Sequence, residues 1–286
     1  MSEMITVLGA LGNVGAPLVD ALIARKMTVR ATHYNIERVT QRFGDQVEAC
    51  LFDFDDPSTI SGALKGTGRL FLIRPPQITN VEKYMYPVID KAREYGIKQI
   101  VFLSLIGIEN NQQVPHYKVE QYIKASGIPY TMIQPGFFMQ NLSTTHLVEI
   151  RDRDEIFVPV GLGKTAFIDI RDIAEVIAQV LAEPGHENKS YELTGNEAVD
   201  YYEVAEIFSK VLNREIVYTK PSAVKFLWKS WRSGTKLPFA LVMTWLYNQT
   251  KNGMGEKVTP TVENLLKRPP ISMQQFVADY AHLWQP

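Results

Sequence analysis

Ile5-Thr6-Val7-Leu8-Gly9-Ala10-Leu11-Gly12-Asn13-Val14-Gly15 is the stretch that decides the fold of this chain. An apolar run of strand character ends in three glycines spaced G-x-x-G-x-x-G, and apolar residues then recur at Val14, Leu18 and Leu22, on one face of a helix. The pattern predicts a strand, a tight turn and a helix. Glycines let the backbone turn sharply and approach a phosphate closely, and the N–H groups at the positive end of the helix can hold a pyrophosphate. Asn13 is the predicted N-cap, and Pro17 falls in the first turn, where its missing N–H costs little. Gly9, Ala10, Leu11, Gly12, Asn13, Val14 and Gly15 are therefore the first candidate cofactor-binding residues.

Working outward, strands and helices alternate. Thr28 to His33 reads as a second strand, Ile36 to Phe43 as a helix, and Val47 to Phe52 as a third strand ending in Asp53, Asp55 and Asp56. Leu70-Phe71-Leu72-Ile73 is a continuous apolar run stopped by Pro75-Pro76, as expected of a strand buried on both faces. Val81 to Tyr95 has a helical pattern despite Pro87, Gln99 to Ser104 is a fifth strand, Tyr117 to Ala125 a helix, and Tyr130 to Gln134 a sixth strand. Such alternation predicts an α/β, Rossmann-type doubly wound parallel sheet, with ligands beyond the carboxyl ends of its strands. That rule selects, with the glycine turn, a rim of His33, Tyr34, Asn35, Asp53, Phe54, Arg74, Pro75, Ser104, Pro135, Gly136, Phe137 and Phe138, and Arg38 and Ile73 beside it join the candidate cofactor-binding residues. After about residue 150 the rhythm loosens, with a helix near Asp169 to Ala182 capped by Asp172 and a short strand at Ser190 to Leu193. The expected division is a dinucleotide-binding domain over 1–150, with later segments free to return to it, and a smaller, mostly helical C-terminal substrate region over 151–286.

Composition sets bounds. The formal net charge of −1 gives no electrostatic footprint for DNA, RNA or an anionic membrane, so neither nucleic acid nor a membrane is an expected partner, and 45% hydrophobic residues suit a sizeable core. The single Cys50 excludes an internal disulfide framework. The first residues read as strand and turn rather than as a leader, and the late apolar run Leu237 to Tyr247 is shorter than the about 20 residues that span a bilayer. A cytoplasmic protein is the expectation. The five histidines show no metal-ligand spacing, so no metal is expected. Neither a G-x-S-x-G nor a Cys/His constellation supports covalent hydrolysis.

An acidic residue ending the second strand would bind ribose hydroxyls and favour NAD, whereas its absence admits the extra phosphate of NADP. Here the strand ends His33-Tyr34-Asn35, with Arg30 and Arg38 nearby, so NADP(H) is favoured over NAD(H).

The motifs together resemble the NmrA-like family, an atypical branch of the short-chain dehydrogenase/reductases. The resemblance rests on Gly9 to Gly15, on Val101-Phe102-Leu103-Ser104, and on Val119-Glu120 with Ile123 and Ser126-Gly127-Ile128-Pro129-Tyr130-Thr131. It continues through Gln134-Pro135-Gly136-Phe137-Phe138-Met139-Gln140-Asn141 and Ser190-Tyr191-Glu192-Leu193-Thr194-Gly195 to Arg268-Pro269-Pro270. It implies an NAD(P)-binding Rossmann domain with a small substrate domain. It also implies an oxidoreductase of quinones, azo dyes or triphenylmethane dyes, or else a non-catalytic sensor of the NADP/NADPH balance. The wider superfamily's Tyr-x-x-x-Lys pair is missing. Counting back four from Glu120 puts His116 at the lysine position and Gln112 at the tyrosine position, and the chain's own Tyr247/Lys251 spacing reads as chance.

His116 and Ser104 are the candidate catalytic residues, His116 because imidazole can hold a ribose or pass a proton, Ser104 because it ends a strand beside the expected substrate. Phe138 and Asn141 are candidate substrate contacts. Two main readings follow: an NAD(P)H-dependent reductase of an apolar planar small-molecule acceptor, and a dinucleotide-sensing protein that binds a regulatory partner. A nucleotide-sugar epimerase ranks below both for want of the tyrosine, and a homodimer is compatible with either.

Overall fold

The computed structural model describes residues 3–285. In chain order the elements begin β1 (Met4–Val7), α1 (Gly15–Ala24), β2 (Thr28–His33), α2 (Ile36–Phe43), β3 (Glu48–Leu51), α3 (Ser58–Leu64) and β4 (Arg69–Ile73). There follow α4 (Val81–Tyr84), α5 (Tyr86–Glu94), β5 (Gln99–Leu103), α6 (Pro115–Ala125), β6 (Tyr130–Pro135), α7 (Leu147–Arg153), β7 (Glu155–Ile156), α8 (Ile170–Ala182) and β8 (Lys189–Leu193). The chain closes with α9 (Tyr201–Leu212), β9 (Val217–Tyr218), α10 (Ala223–Arg232), α11 (Leu237–Lys251), α12 (Thr261–Leu266) and α13 (Met273–Asp279).

Two units result. The first runs to Pro135 and regains the chain over Ile170–Leu193. Its seven strands are all parallel, in the order β3-β2-β1-β4-β5-β6-β8, so every carboxyl end lies on one edge. The order reverses direction at β1, between β2 and β4, which is where a doubly wound sheet opens a crevice. The apolar runs sit at its centre. Every residue of β5 is buried, as are Leu70, Phe71 and Leu72 of β4. Leu70, Leu72, Ile100 and Phe102 pack with α3, α5 and α6, while alternate residues such as Phe71 and Val101 point to the other face, which α8 covers together with α1. The predicted single helix over 81–95 is broken at Met85, and Pro87 becomes the second residue of α5, where it blocks no helical bond.

The second unit is Gly136–Asp169 together with the chain from Thr194 onward. It is mostly helical, with the two-stranded parallel sheet β7-β9. Its core centres on Trp284, which is fully buried, lies edge-on to Phe208 at 4.7 Å and to Phe276 at 5.8 Å, and donates its Nε1–H to the Leu142 carbonyl. The chain first leaves the first unit at Pro135, where β6 completes its register, and returns to it over Ile170–Leu193. Asp172 lies inside the first turn of α8, which begins at Ile170, so it is not the cap expected of it.

Candidate functional site

The glycine turn is fastened on both sides of the point where the strand order reverses. The Leu8 N–H donates to the Phe71 carbonyl of β4 at 3.1 Å, and the Ala10 N–H to the Thr32 carbonyl of β2 at 3.2 Å. Gly9 sits at φ +74°, a left-handed conformation open to glycine. Its carbonyl accepts from the Gly12 N–H at 2.9 Å, and any Cβ on Gly15 would run into the same oxygen. Helix α1 can therefore start directly against the turn only with glycine at its first position. Asn13 is not the cap. Val14 occupies that position, already in helical conformation, and no side chain bonds the helix start. The sequence signal placed the helix one residue early. A capping side chain would also find nothing to bond there, since the Ala16 N–H already donates to the Gly12 carbonyl at 3.0 Å and Pro17 has no N–H.

At the end of β2, Asn35 Oδ1 accepts from the Arg38 N–H at 3.0 Å and caps α2, while the Asn35 N–H donates to His33 Nδ1 at 3.0 Å. Tyr34 projects into solvent, and the exposed Arg38 side chain has no carboxylate partner among the described residues. Arg30, expected nearby as a second cation, is instead buried in the sheet edge, paired with Glu48 at 2.8 Å and donating to the carbonyls of Ala63 and Lys65. Asp53 closes a turn by accepting the Asp55 N–H at 2.9 Å, and Phe54 lies edge-on to Phe52.

The ends of β4 and β5 carry the unusual chemistry. Ile73 packs against Gly9, and Arg74 folds back so that its guanidinium donates to the Pro75, Pro76 and Ile78 carbonyls. Arg74 Nε–H also donates to His116 Nε2 at 3.3 Å. Helix α6 has begun by Pro115, so His116 and Glu120 share one buried face, and Glu120 is pinned by Gln134 at 2.9 Å and Lys124 at 3.3 Å. Burial, and then the Arg74 charge, push the His116 pKa down to about 3, so the ring is neutral near pH 7. Because Nε2 accepts from Arg74, the proton of the neutral ring is on Nδ1. That Nδ1 is buried and has no partner, and the same is true of Ser104 Oγ, one residue past the end of β5. Unsatisfied buried polar atoms are costly and uncommon, and here two belong to residues the sequence had singled out. Gln112, at the tyrosine register, is exposed.

Gly9–Gly15, Tyr34, Asn35, Arg38, Asp53, Phe54, Ile73, Arg74, Pro75, Ser104 and Pro135 thus all belong to the carboxyl edge of one sheet, with His116 tied to it through Arg74. This edge fits a dinucleotide. It offers a backbone cradle that side chains would fill, an uncapped helix start, and two orphaned polar atoms.

Gly136, Phe137, Phe138 and Asn141 belong to the second unit. There Phe138 bridges in parallel to Ile168, Phe137 packs on the unit's core, and Asn141 is half-buried in a short 3-10 turn. The same unit carries a small cleft of about 80 Å³ that opens to solvent, lined by His146, Glu149, Phe157, Phe226, Lys229 and Met243 among others. Neither Phe138 nor Asn141 lines it. His146 shares a 2.6 Å hydrogen bond with Tyr247, 101 residues away, so Tyr247 serves a buried pair and not a Tyr-x-x-x-Lys motif. No spacing rule could have found that pair from the sequence.

Comparison with known proteins agrees with this architecture. The chain is 30% identical over 284 residues to the NAD(P)H azoreductase of Xenophilus azovorans, covering 97% of this chain and 98% of that one. The triphenylmethane reductase of Citrobacter, solved with NADP(H), superposes with a TM-score of 0.86 at 24% identity, covering 96% of this chain and 99% of that one. The NADPH-dependent quinone oxidoreductase QOR2 of Escherichia coli, solved with NADPH, gives a TM-score of 0.89 at 22% identity over 97% of this chain and 100% of that one. A family model matches residues 1–256, and on that match the chain belongs to the NmrA-like family.

Proposed function

We propose that this protein is an NADP(H)-dependent reductase of an apolar, planar acceptor such as a quinone or a dye. The observation that carries the proposal is the pair of orphaned buried atoms, Ser104 Oγ and His116 Nδ1, at the sheet edge that also bears the glycine cradle. When bound, the reduced nicotinamide supplies the hydride. The chain's own residues bind and orient. The backbone of Gly9–Gly15 and the start of α1 receive the pyrophosphate. Arg38, beside a strand end with no carboxylate, receives the 2′-phosphate, which makes NADP(H) the favoured cofactor. His116 donates a neutral hydrogen bond from Nδ1 toward the nicotinamide ribose, in the role the superfamily gives to lysine, and Ser104 offers its hydroxyl beside it. A histidine held neutral is no acid at pH 7, so the reduced acceptor takes its proton from water. Positioning is sufficient because the cofactor carries the chemistry. The azoreductase, quinone oxidoreductase and triphenylmethane reductase names of the relatives support this reading.

The second reading, a dinucleotide sensor that meets a regulatory partner without turnover, is favoured by the exposed Gln112 where a catalytic tyrosine would stand. Steady oxidation of NADPH by the purified protein across a panel of quinones and azo and triphenylmethane dyes decides between them. Turnover with any member supports the reductase. Tight NADPH binding with no turnover on the whole panel supports the sensor.

A further inference from the structure

Residues 216–255 contain six lysines and arginines and no aspartate or glutamate, in a chain whose overall charge is −1. The segment holds α10 and α11, which pack on each other within the second unit. On α10, Phe226 is buried, while Val224 is 78% exposed, Trp228 54% and Trp231 62%. At about 100° per residue these three exposed side chains share an arc of about 60°, diametrically opposite Phe226. Lys225 and Arg232 flank that arc on one side. Helix α11 repeats the arrangement: Ala240 and Tyr247 are buried, and Leu241, Val242 and Trp245 are 50%, 53% and 44% exposed. Lys225, Arg232 and Lys236 have no carboxylate partner among the described residues, and Arg232 lies over the Trp228 ring at 5.3 Å. A helix needs one apolar face to reach its own core. These two carry a second one, facing away from the core, rich in tryptophan and bordered by unpaired cations.

We infer that the α10–α11 face docks on the surface of an anionic lipid bilayer. Tryptophan and leucine on one face with lysine and arginine beside them is the chemistry of a helix lying in the headgroup region, where the rings enter the acyl boundary and the cations meet lipid phosphates. No described helix is long and apolar enough to cross a membrane, so the contact is interfacial. A second copy of this chain is the poorer occupant. A two-fold contact would set the patch against itself, placing cations opposite cations without a carboxylate in the segment to neutralise them. The proposal does not depend on the reductase reading, since it concerns neither the cofactor edge nor turnover.

The test is flotation of the purified full chain with vesicles of phosphatidylcholine alone and of equal parts phosphatidylcholine and phosphatidylglycerol. The expected result is flotation with the mixed vesicles, little with the neutral ones, and release as salt is raised. Acyl-brominated lipids should quench the emission of Trp228, Trp231 and Trp245, while Trp284, fully buried, should stay unquenched. The variants Trp228→Glu/Trp231→Glu and Lys225→Glu/Arg232→Glu, all at exposed positions, should each weaken flotation at least tenfold without changing the thermal midpoint. No flotation, equal flotation with neutral vesicles, or unaltered flotation of both double variants overturns the proposal. Sedimentation velocity supplies the other arm: a dimer in lipid-free buffer that Trp228→Glu/Trp231→Glu dissociates would make this face a subunit interface instead.

Discussion

His116 in the first unit and His146 in the second are both buried and both neutral, with pKa values pushed down by burial to about 3 and about 4. They differ in what their nitrogens meet. His146 spends a nitrogen on Tyr247 at 2.6 Å, and burial holds that phenol well above its ordinary pKa, so the two form a neutral bond inside a packed core. His116 spends one nitrogen on Arg74 and leaves the other, protonated, without a partner. One histidine completes a core. The other is fixed in tautomer and orientation by its neighbour and keeps a donor in reserve, as a ligand-holding group requires.

This contrast can be broken experimentally, most severely at the turn beside His116. Gly12→Asp places a carboxylate where a pyrophosphate would sit, with its Cβ 3.2 Å from the Gly9 carbonyl. Like charges set against each other cost several kcal/mol, so we predict at least about a hundredfold loss of NADPH affinity by calorimetry, with the urea midpoint of the ligand-free protein nearly unchanged. Undiminished affinity would remove the cofactor site from the glycine turn.

Acid should act on both histidines. Each has a folded pKa below its unfolded value of 6.5, so the unfolded chain binds more protons between 6.5 and about 3 for His116, and between 6.5 and about 4 for His146. The stability these two groups contribute is complete above pH 6.5 and is lost as pH falls through that window, roughly 2 kcal/mol each by pH 5. Urea midpoints from pH 7 to pH 5 should fall accordingly, and His146→Phe should flatten part of the slope. A pH-independent midpoint would show that neither ring is held neutral.

Tyr247→Phe removes the phenol and leaves the buried His146 nitrogen unpaired. We expect a loss of about 1–3 kcal/mol in stability, with NADPH affinity unaltered. A change in affinity without a change in stability would reverse the roles assigned to the two histidines. The smallest effect belongs to His116→Ala. Losing one neutral hydrogen bond, about 0.5–1.5 kcal/mol, should lower NADPH affinity or turnover several-fold, and His116→Asn should restore part of it. A loss of two orders of magnitude would instead make His116 an obligatory proton carrier, and rates equal to the native protein would make it a bystander.

The fold was legible because parallel strands buried on both faces announce themselves as short apolar runs, and because a glycine turn after the first of them has few other uses. The candidate site was legible only as an edge: the rule that ligands bind at strand ends selected Ser104 and Arg74, and counting from Glu120 selected His116. What pairs with what was not legible. Arg30 and Arg38 look alike on paper, yet one reaches Glu48 within the sheet and the other stays in solvent. The lock of Arg74 on His116 spans 42 residues and the His146–Tyr247 bond 101, distances over which no periodicity carries information. Asn13 failed as a cap for a local reason, since the turn takes one residue more than the side-chain signal allows.

The late arrival of β8 has a consequence for biosynthesis. The sheet's sixth strand is complete at Pro135, but its outer neighbour ends at Leu193, and the chain between them first makes Gly136–Asp169 of the other unit. At about 5–20 residues per second, a ribosome takes roughly 3–12 s to close that gap. Throughout it β6, with Met132 and Ile133 at its middle, shows an open row of N–H and C=O groups, the kind of edge that recruits foreign strands. The nascent chain is therefore most vulnerable to misassembly, and most in need of a chaperone, during those seconds and not at its end.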